Sequence, residues 1–403
     1  TEADCWVASR ARKQDAAVNC AAALVKDGEA RFGRTHPAYA RALHVLAIMQ
    51  REIGNRAQAE VLVKQSEAIY RNALRSVPAN FRAALGSIAA ATIRLHSELL
   101  SADGRLDEAE ALQREALSLK ERSVAENDPE LSAHHANLAE ILKLRGQFQE
   151  AEAEYLRALE IQEAAHGPND IEVASLLDDL GFFYDQTDRA VVALPLLKRS
   201  LEIKEKSHPA GHPDVAVTLN RLGNAYGSLN RLSESAEVLE LALEIEGRAY
   251  GPGDTKVMKT PDHLAHVYAM QGRYRDAENL HKQALAGLTK TLGAHHPTLA
   301  VSLNQLAFLY LSQGRAGDAI GVLQKALIIA EASYGNNHPL VEQLALGLSV
   351  AYVKQGKPAE ALPWARRALH VRRSQKEKTA EIASKFLAAI TMVAIEAQMK
   401  QSS

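Results

Sequence analysis

The chain has 403 residues, of which 47% are hydrophobic and only 5% aromatic, and its formal net charge is −2. This near balance of charge argues against a general electrostatic attraction to nucleic acid or to an anionic membrane, which needs a clustered basic surface. No apolar run approaches the roughly 20 residues that a membrane-spanning helix needs. We therefore expect no nucleic-acid partner and no membrane insertion.

A turn residue recurs every 42 residues along most of the chain. It is Gly104, Gly146, Asp188, Asn230, Gly272, Gly314 and Gly356. Tyrosine follows the same step at positions 184, 226, 268, 310 and 352. A fixed period between about 20 and 50 residues is typical of a stacked array, in which each unit buries its apolar face only against its neighbours. We therefore expect function to lie on a long shared surface and not in a catalytic pocket.

The chain begins inside a repeat. The register places residues 1–10 at the end of one repeat's first helix (helix A) and residues 14–33 in its second helix (helix B). Residues 1–35 are therefore predicted to form an incomplete N-terminal half repeat. A tandem array of about eight repeats is predicted to follow over residues 36–374.

The two cysteines, Cys5 and Cys20, both fall in this half repeat. We interpret them as buried thiols, and the alternative is a clip between two helices, that is, a covalent link between their sulfurs. Two cysteines are too few for a metal site. Because the first residue is Thr1 and not Met, a removed export signal and a cut boundary are both open explanations of the start. We assign a cytoplasmic location, with a processed and exported form as the alternative.

One unit of the array begins at His212-Pro213, where proline suits the first helical position because its missing N–H would have no helical partner. Apolar residues then recur at three- and four-residue spacing, as in an amphipathic helix A. Asn230 stands where most copies have Gly, so we expect a left-handed residue that ends this helix. Ser233 is the predicted N-cap of helix B. The small residue Gly223 permits the two helices to approach closely.

This pattern resembles the tetratricopeptide repeat in its 42-residue form, as found in kinesin light chains and many bacterial proteins. The residues that carry the resemblance are Leu222-Gly223, Tyr226, Asn230-Arg231 and Ala242-Leu243. A clearer copy at 303–335 reads LNQLAFLYLSQGRAGDAIGVLQKALIIAEASYG. The resemblance implies an all-α fold, a right-handed α-solenoid of tandem helix-turn-helix repeats.

The repeat at 78–104 departs from the regular spacing. Pro78 lies 26 residues before Gly104, whereas Pro37 and its equivalents lie 17 residues before their turn residue. Since an α-helix turns every 3.6 residues, this helix A is predicted to be about two turns longer, over roughly 80–101.

A second irregular segment lies at 251–261. Pro261 appears there at a position where helix A of the next repeat would already be running. Because proline inside a helix costs about 3 kcal/mol or more, we expect the helix to start at Thr260-Pro261 instead. This leaves a longer loop at 251–260.

The chain ends in a segment without a partner helix. After a charged break, an amphipathic pattern predicts a last helix over about 379–399, with Ile382 and Phe386 on its apolar face. We expect residues 375–403 to form a capping helix, which covers the apolar face of the last repeat, and a short tail.

The 15 histidines raise the question of a metal site, especially the pair His208 and His212. Four histidines directly precede a proline at the junction of two repeats: His36, His212, His296 and His338. We interpret them as helix caps, since no spacing matches a zinc site on successive helical turns. No metal ligand, cofactor or catalytic motif is assigned, and acidic pairs such as Asp178-Asp179 are interpreted as solvated. The chain is predicted not to be an enzyme.

The resemblance implies that helix A lines the inner, concave surface of the array, where related proteins bind an extended peptide. Four register positions relative to the repeated tyrosine supply the candidates. They are Arg94, Glu140, Lys143, Ser175, Asp178, Phe182, Asn220, Asn224, Lys259, Asp262, His266, Asn304, Phe308, Leu311 and Val350.

Two features of these candidates stand out. One is a polar ladder at the 42-residue step, which consists of Asp178, Asn220, Asp262 and Asn304. The resemblance implies that these side chains would hydrogen-bond a peptide backbone; the alternative is that they are solvated.

The other is that the surface becomes apolar towards the C-terminus. An exposed apolar cluster of this kind marks a binding site or is covered by another segment. A partner's apolar anchor and the chain's own terminal segment are the two occupants considered. The cluster consists of Phe308, Leu311, Leu346, Val350 and Val353.

We therefore predict a non-catalytic scaffold or adaptor that binds a protein or peptide partner in its groove. One alternative is the sensor region of a larger bacterial enzyme with a protease-like or nucleotide-binding domain. Another is a self-assembling scaffold, in which the open N-terminal half repeat stacks on a second copy.

Overall fold

The part of the chain that the computed structural model describes comprises residues 1–10, 13–251, 254, 257 and 259–374. Its regular secondary structure is helical throughout, so the predicted all-α fold of tandem helix-turn-helix repeats is confirmed. Among these residues, no helix combines the length and the apolar character that a bilayer crossing requires. The helices group into two compact units, one ending at Thr187 and the other beginning at Asp188, a division that the repeat pattern does not predict.

In the first unit, consecutive helices pack against each other as hairpins joined by short turns. Odd-numbered helices correspond to helix A of a repeat and even-numbered helices to helix B. The helices are α1 (Glu2–Arg10), α2 (Gln14–Phe32), α3 (Pro37–Glu52), α4 (Arg56–Ser76), α5 (Ala79–Ala102), α6 (Leu106–Glu121), α7 (Pro129–Leu144), α8 (Phe148–His166) and α9 (Ile171–Gln186).

The second unit follows the same plan within its described residues, and helices A of successive hairpins also contact each other. Its helices are α10 (Ala190–Ser207), α11 (Pro213–Ser228), α12 (Leu232–Tyr250), α13 (Lys259–Met270), α14 (Tyr274–Leu292), α15 (Thr298–Ser312), α16 (Ala316–Tyr334), α17 (Pro339–Lys354) and α18 (Pro358–Ser374).

Histidine caps begin several of the A helices. The Nδ1 atom of His36 accepts a hydrogen bond from the Ala38 amide at 3.1 Å, and His338 does the same for Leu340 at 3.2 Å. An accepting side chain at this position satisfies one of the amides that a helix start leaves without a partner. The sequence-based interpretation of these histidines as caps is therefore confirmed. His296 acts similarly, since its Nδ1 accepts from the Thr298 amide at 3.4 Å.

The turns between helices A and B use left-handed backbone. Asp188 and Asn230, which replace Gly at the repeated position, have φ angles of 58° and 56°. Asn and Asp tolerate this region better than other residues that carry a Cβ atom. Ser233, however, is not the N-cap of the following helix, so that prediction is wrong. Helix α12 already begins at Leu232, and its N-cap Arg231 places Nε 2.9 Å from the Glu234 carboxylate within the first turn.

Two A helices have unusual bounds. Helix α5 has 24 residues, compared with 16 in α3, and is the longer helix that the early Pro78 predicts. Helix α13 begins at Lys259, one residue before the predicted start. Half of the predicted loop at 251–260, and the predicted capping helix and tail at 375–403, lie outside the described residues.

A disulfide joins the first two helices. The sulfurs of Cys5 in α1 and Cys20 in α2 are bonded, and their Cα atoms lie 5.3 Å apart. The preferred interpretation of these residues as buried thiols is therefore wrong, and the alternative of a clip between two helices is correct. Bonding requires two Cα atoms within roughly 7 Å, which depends on how the helices pack and not on their spacing in the sequence.

At three positions the repeated tyrosine ties a hairpin to the preceding one. Its hydroxyl, on helix A, donates to a glutamate on the preceding helix B in the pairs Tyr184–Glu152 (2.8 Å), Tyr268–Glu240 (2.7 Å) and Tyr310–Glu278 (3.1 Å). Arg315 lies over the Tyr310 ring, 4.3 Å from its centroid, and donates to Glu278 at 2.6 Å. Hydrogen bonds from Arg315 and then Lys282 lower the pKa of Glu278 to about 2. The tyrosine therefore supports the stacking of neighbouring hairpins.

Candidate functional site

The second unit contains an apolar groove between two A helices, α15 and α17. Its volume is about 410 Å³. We call it the α15/α17 groove, and it is lined by Phe308, Leu311, Ser312, Gln343, Leu346, Gly347, Val350 and Lys354. Four of the five residues of the predicted apolar cluster thus line one cavity.

The walls of the α15/α17 groove differ in exposure. Phe308 is 53% exposed, whereas Leu311 is buried and Val350 is half-buried. Lys354 provides the only charge among the lining residues, and its Nζ lies 3.4 Å from the Leu311 carbonyl oxygen. An aromatic ring that stays exposed beside an apolar cavity is a feature of ligand-binding surfaces.

The base of the groove depends on a glycine. A Cβ atom built on Gly347 would lie 3.1 Å from a methyl carbon of Leu323, which is buried beneath it in α16. Since contacts this short are rare for real side chains, glycine lets α17 approach α16 closely. The sequence predicted the apolar character of this surface, but the depth of the groove comes from this packing.

The polar ladder of the second unit is engaged within its own hairpins. The Asn220 amide donates to the Glu246 carboxylate at 3.0 Å and to the Ala216 carbonyl at 3.1 Å. The Asp262 carboxylate lies 3.2 Å from the imidazole of His281, which is buried in α14. Asn304 is itself buried, at 7% exposure. These side chains therefore contribute more to joining α11 with α12 and α13 with α14 than to an open surface.

Glu246 is the buried centre of one of these contacts. Besides Asn220, it accepts a hydrogen bond from the hydroxyl of the buried residue Thr260 at 2.6 Å. Burial raises the pKa of Glu246. The sequence analysis did not identify Glu246, because its position in the apolar stripe of α12 gave no sign that a carboxylate would be buried there.

Two further candidates of this unit, Asn224 and His266, are more open. Asn224 on α11 is half-buried and His266 on α13 is exposed. Lys259 is the first residue of α13. All three lie on A helices, as predicted.

In the first unit the candidate residues are largely paired with one another. The Lys143 ammonium lies 2.6 Å from the Glu140 carboxylate and 5.2 Å from the centroid of the Phe182 ring. Ser175 is exposed, and its hydroxyl donates to the Ile171 carbonyl oxygen at 3.3 Å. These contacts place Lys143 and Phe182 together on neighbouring A helices, α7 and α9.

Asp178 corrects one interpretation. The sequence analysis treated it as solvated, but its exposure is only 2%. It lies on the face of α9 that also buries Leu177 and Leu180. A residue at the edge of an apolar stripe can be covered by a neighbouring helix, which the helical period alone does not reveal.

A polar network crosses three A helices of the first unit. The Glu98 carboxylate on α5 accepts from Arg51 on α3 at 2.5 Å, from Arg94 at 2.5 Å and from Asn137 on α7 at 2.8 Å. Arg94 was a candidate, whereas the sequence analysis missed Arg51 and Asn137. The network therefore joins successive hairpins, and its two guanidinium groups exceed its single carboxylate by one positive charge.

A buried histidine beside this network makes the first unit sensitive to acid. His134 on α7 is 4% exposed, and burial together with the charges of Arg94 and Lys120 lowers its pKa from 6.5 to about 3. The unfolded chain therefore binds more protons than the folded chain between these pH values, and stability falls as the pH drops through this window. At pH 5 the expected loss from His134 is about 2 kcal/mol, at 1.36 kcal/mol per pH unit below 6.5.

Urea unfolding of the wild type and of His134→Gln at pH 7 and pH 5 tests this prediction. Glutamine does not titrate, so the variant should lose about 2 kcal/mol less than the wild type between the two pH values. An identical pH dependence for His134→Gln and the wild type would contradict the prediction.

This architecture matches a known family of repeat proteins. The family model of the tetratricopeptide repeat matches residues 87–164, 130–206, 172–246, 257–327 and 299–374, which together exceed half of the chain. No curated protein sequence matches the chain.

Several solved structures are similar in fold. The apo form of RapI has 17% sequence identity, covers 71% of this chain and 98% of its own, and superposes with a TM-score of 0.52. A tetratricopeptide repeat protein from Parabacteroides merdae has 18% identity, covers 75% of this chain and 98% of its own, and superposes with a TM-score of 0.50. Repeats assigned to a kinesin light chain of Podosopora anserina have 22% identity, cover 52% of this chain and 99% of theirs, and give 0.45.

The match to the family model covers the same residues in which the turn position recurs at the 42-residue step. The stacked hairpins, the glycine-type turns and the small residues between helices are the structural features that this repeat requires. The chain therefore belongs to the tetratricopeptide repeat family.

Proposed function

We propose that the protein is a non-catalytic binding module and that the α15/α17 groove receives an apolar side chain of a partner polypeptide. The observation that supports this most directly is the exposed Phe308 ring beside an apolar cavity of about 410 Å³. Repeats of this family support a role as an interaction scaffold. The groove adds a defined place for an anchor residue.

Energetic considerations favour an apolar anchor. Burying one Leu, Ile, Phe or Met side chain contributes roughly 1.5–3 kcal/mol, which corresponds to about a tenfold to hundredfold gain in affinity. Lys354 at the edge of the groove favours a partner segment with an acidic group next to that anchor. The polar candidates contribute less, because Asn220, Asp262 and Lys143 already have partners within the chain.

A charge placed in the groove should weaken binding. Val350→Asp puts a carboxylate into the apolar cavity, so partner peptides should bind at least about tenfold more weakly. The measurement is selection of a random dodecapeptide phage library on the wild-type chain, followed by titration of the enriched peptides against both chains. The enriched peptides should share an apolar residue beside an acidic one.

Ile328→Asp is the matched control, since Ile328 is 64% exposed on α16 and does not line the groove. Phe308→Gln provides a second groove variant at an exposed position, in case Val350→Asp impairs folding. Peptides that bind Val350→Asp and Phe308→Gln as tightly as the wild type would remove the groove from the proposal. If the chain's own residues 375–403 occupy the groove, peptides should bind only after truncation at residue 374, and a peptide of that segment should compete.

A further inference from the structure

Two histidines and an aspartate converge at the junction between α10 and α11. His208 ends α10, His212 is the N-cap of α11, and Asp214 lies in its first turn. One possible ligand atom from each residue lies within 4.8 Å of the other two. Among the described residues this is the one group of at least three His, Cys, Asp or Glu side chains with such a separation.

The other junctions show how this group departs from the repeat. At two of them an aromatic ring stacks on the N-cap histidine four residues later: Phe32 on His36 with centroids 5.1 Å apart, and Tyr334 on His338 at 4.2 Å. At the α10/α11 junction His208 takes the place of the aromatic residue and stacks on His212. The two ring centroids lie 4.0 Å apart, and the angle between the ring planes is 12°. The same stacking geometry therefore brings a second imidazole to the junction.

His208 and Asp214 already place possible ligand atoms close together. His208 Nε2 is covered from solvent and lies 3.4 Å from an Asp214 carboxylate oxygen, without the geometry of a hydrogen bond. His212 Nδ1 lies 3.8 Å from the same oxygen and caps the Asp214 amide at 3.3 Å, so its Nε2 is not used by the cap. The nearby Lys204 ammonium lies 3.3 Å from the Asp214 backbone carbonyl oxygen.

These separations suit a small divalent ion. Two ligands at about 2.0–2.1 Å from a tetrahedral Zn²⁺ lie roughly 3.4 Å apart, which is the spacing already present between His208 and Asp214. The rings of His208 and His212 are stacked, so their in-plane lone pairs run parallel and do not point at a common ion. His212, whose side chain is 36% exposed, must therefore leave the stack for its Nε2 to become the third ligand, and the Asp214 carboxylate, which is 57% exposed, can adjust with it.

We infer that His208, His212 and Asp214 form a binding site for a divalent transition metal, with Zn²⁺ as the expected ion. Imidazole and carboxylate ligands suit zinc, and three protein ligands leave one coordination position for water or another donor. The site is separate from the α15/α17 groove and does not depend on the proposed function.

Isothermal titration of the full chain with Zn²⁺, and the visible absorption of added Co²⁺, test this inference. His208→Tyr recreates the Tyr334–His338 arrangement, so it should keep the stacking and the cap while removing one ligand. Zn²⁺ affinity should fall at least about tenfold, while the melting temperature without metal stays unchanged. Zn²⁺ should raise the melting temperature of the wild type, and a chelator should reverse that rise.

Two further variants make the test specific. Asp214→Asn should also weaken Zn²⁺ binding, because a neutral amide is a poorer ligand than a carboxylate. His338→Gln, at a junction where Leu340 occupies the place of Asp214, should bind Zn²⁺ like the wild type. Absence of Zn²⁺ binding, or binding that His208→Tyr leaves undiminished, would overturn the inference.

Discussion

Replacement of Gly223 with valine is expected to destabilise the α11/α12 hairpin by about 3 kcal/mol. A Cβ atom at this position would lie 2.5 Å from Cγ of Leu239, which is fully buried in α12. The clash involves a branched carbon close to the backbone and not the end of a flexible side chain. The two helices must therefore separate, and the contacts around Leu239 are lost.

Gly227 offers a matched control one turn further along the same helix. A Cβ atom there would meet Ser235 Oγ at 3.7 Å, which is an ordinary contact. Gly227→Ala should therefore be neutral or stabilising by up to about 1 kcal/mol, as expected for alanine in a helix. Urea unfolding with hydrogen-exchange mass spectrometry on α11 and α12 measures both variants; equal stability of Gly223→Val and the wild type would show that the helices do not pack this closely.

Loss of the Cys5–Cys20 disulfide is expected to release α1 from α2, with a cost of about 3 kcal/mol for a 15-residue loop. Helix α1 has only nine residues, and a helix of this length is unstable alone in water. Amide exchange in residues 2–10 should therefore accelerate by about two orders of magnitude in Cys5→Ser/Cys20→Ser, since each 1.4 kcal/mol is a factor of ten.

The second unit provides the internal reference for this measurement. Exchange in α17 should be the same in the wild type and the double serine variant, because the array transmits stability mainly between neighbours. Trp6 in α1 offers a second signal, since its fluorescence should shift towards that of an exposed indole on reduction. Unchanged exchange and fluorescence would mean that packing alone holds α1.

The disulfide also bears on where the protein acts. Disulfides of this kind persist mainly in oxidising compartments and are rare in the cytosol. An intact bond is therefore expected in an oxidising compartment, as for the exported form that is the alternative to a cytoplasmic location. Mass spectrometry of alkylated protein from fractionated cells tests this: the bond should be intact in the native compartment, and a reduced pair in the cytosol would contradict it.

The helices and turns of this fold follow from local features of the sequence. His-Pro and Asp-Pro pairs start A helices, and a residue that tolerates left-handed backbone ends them, so a period read from Gly272 or Asn230 is sufficient to place the hairpins. The early Pro78 likewise predicted the long α5. These signals act within a few residues, and tertiary packing does not override them.

The side-chain environment of the site was less predictable. The apolar character of Phe308 and Val350 could be read directly, but the burial of Asp178 and the partner of Asn220 depend on which neighbouring helix covers them. A helical period gives the direction of a side chain and not the chemistry of the surface that it meets. The bonded pair of cysteines was only the alternative interpretation for the same reason, since helix packing decides whether two thiols are within reach.

The contacts between neighbouring hairpins also have a mechanical consequence. Within each unit the tyrosine–glutamate pairs and the apolar contacts link a hairpin to the adjacent ones, so a pulling force along the chain can detach hairpins singly. Each 42-residue step would then release roughly 140–150 Å of extended polypeptide. Under tension each unit would lengthen in discrete increments, one hairpin at a time, while its remaining hairpins stay folded.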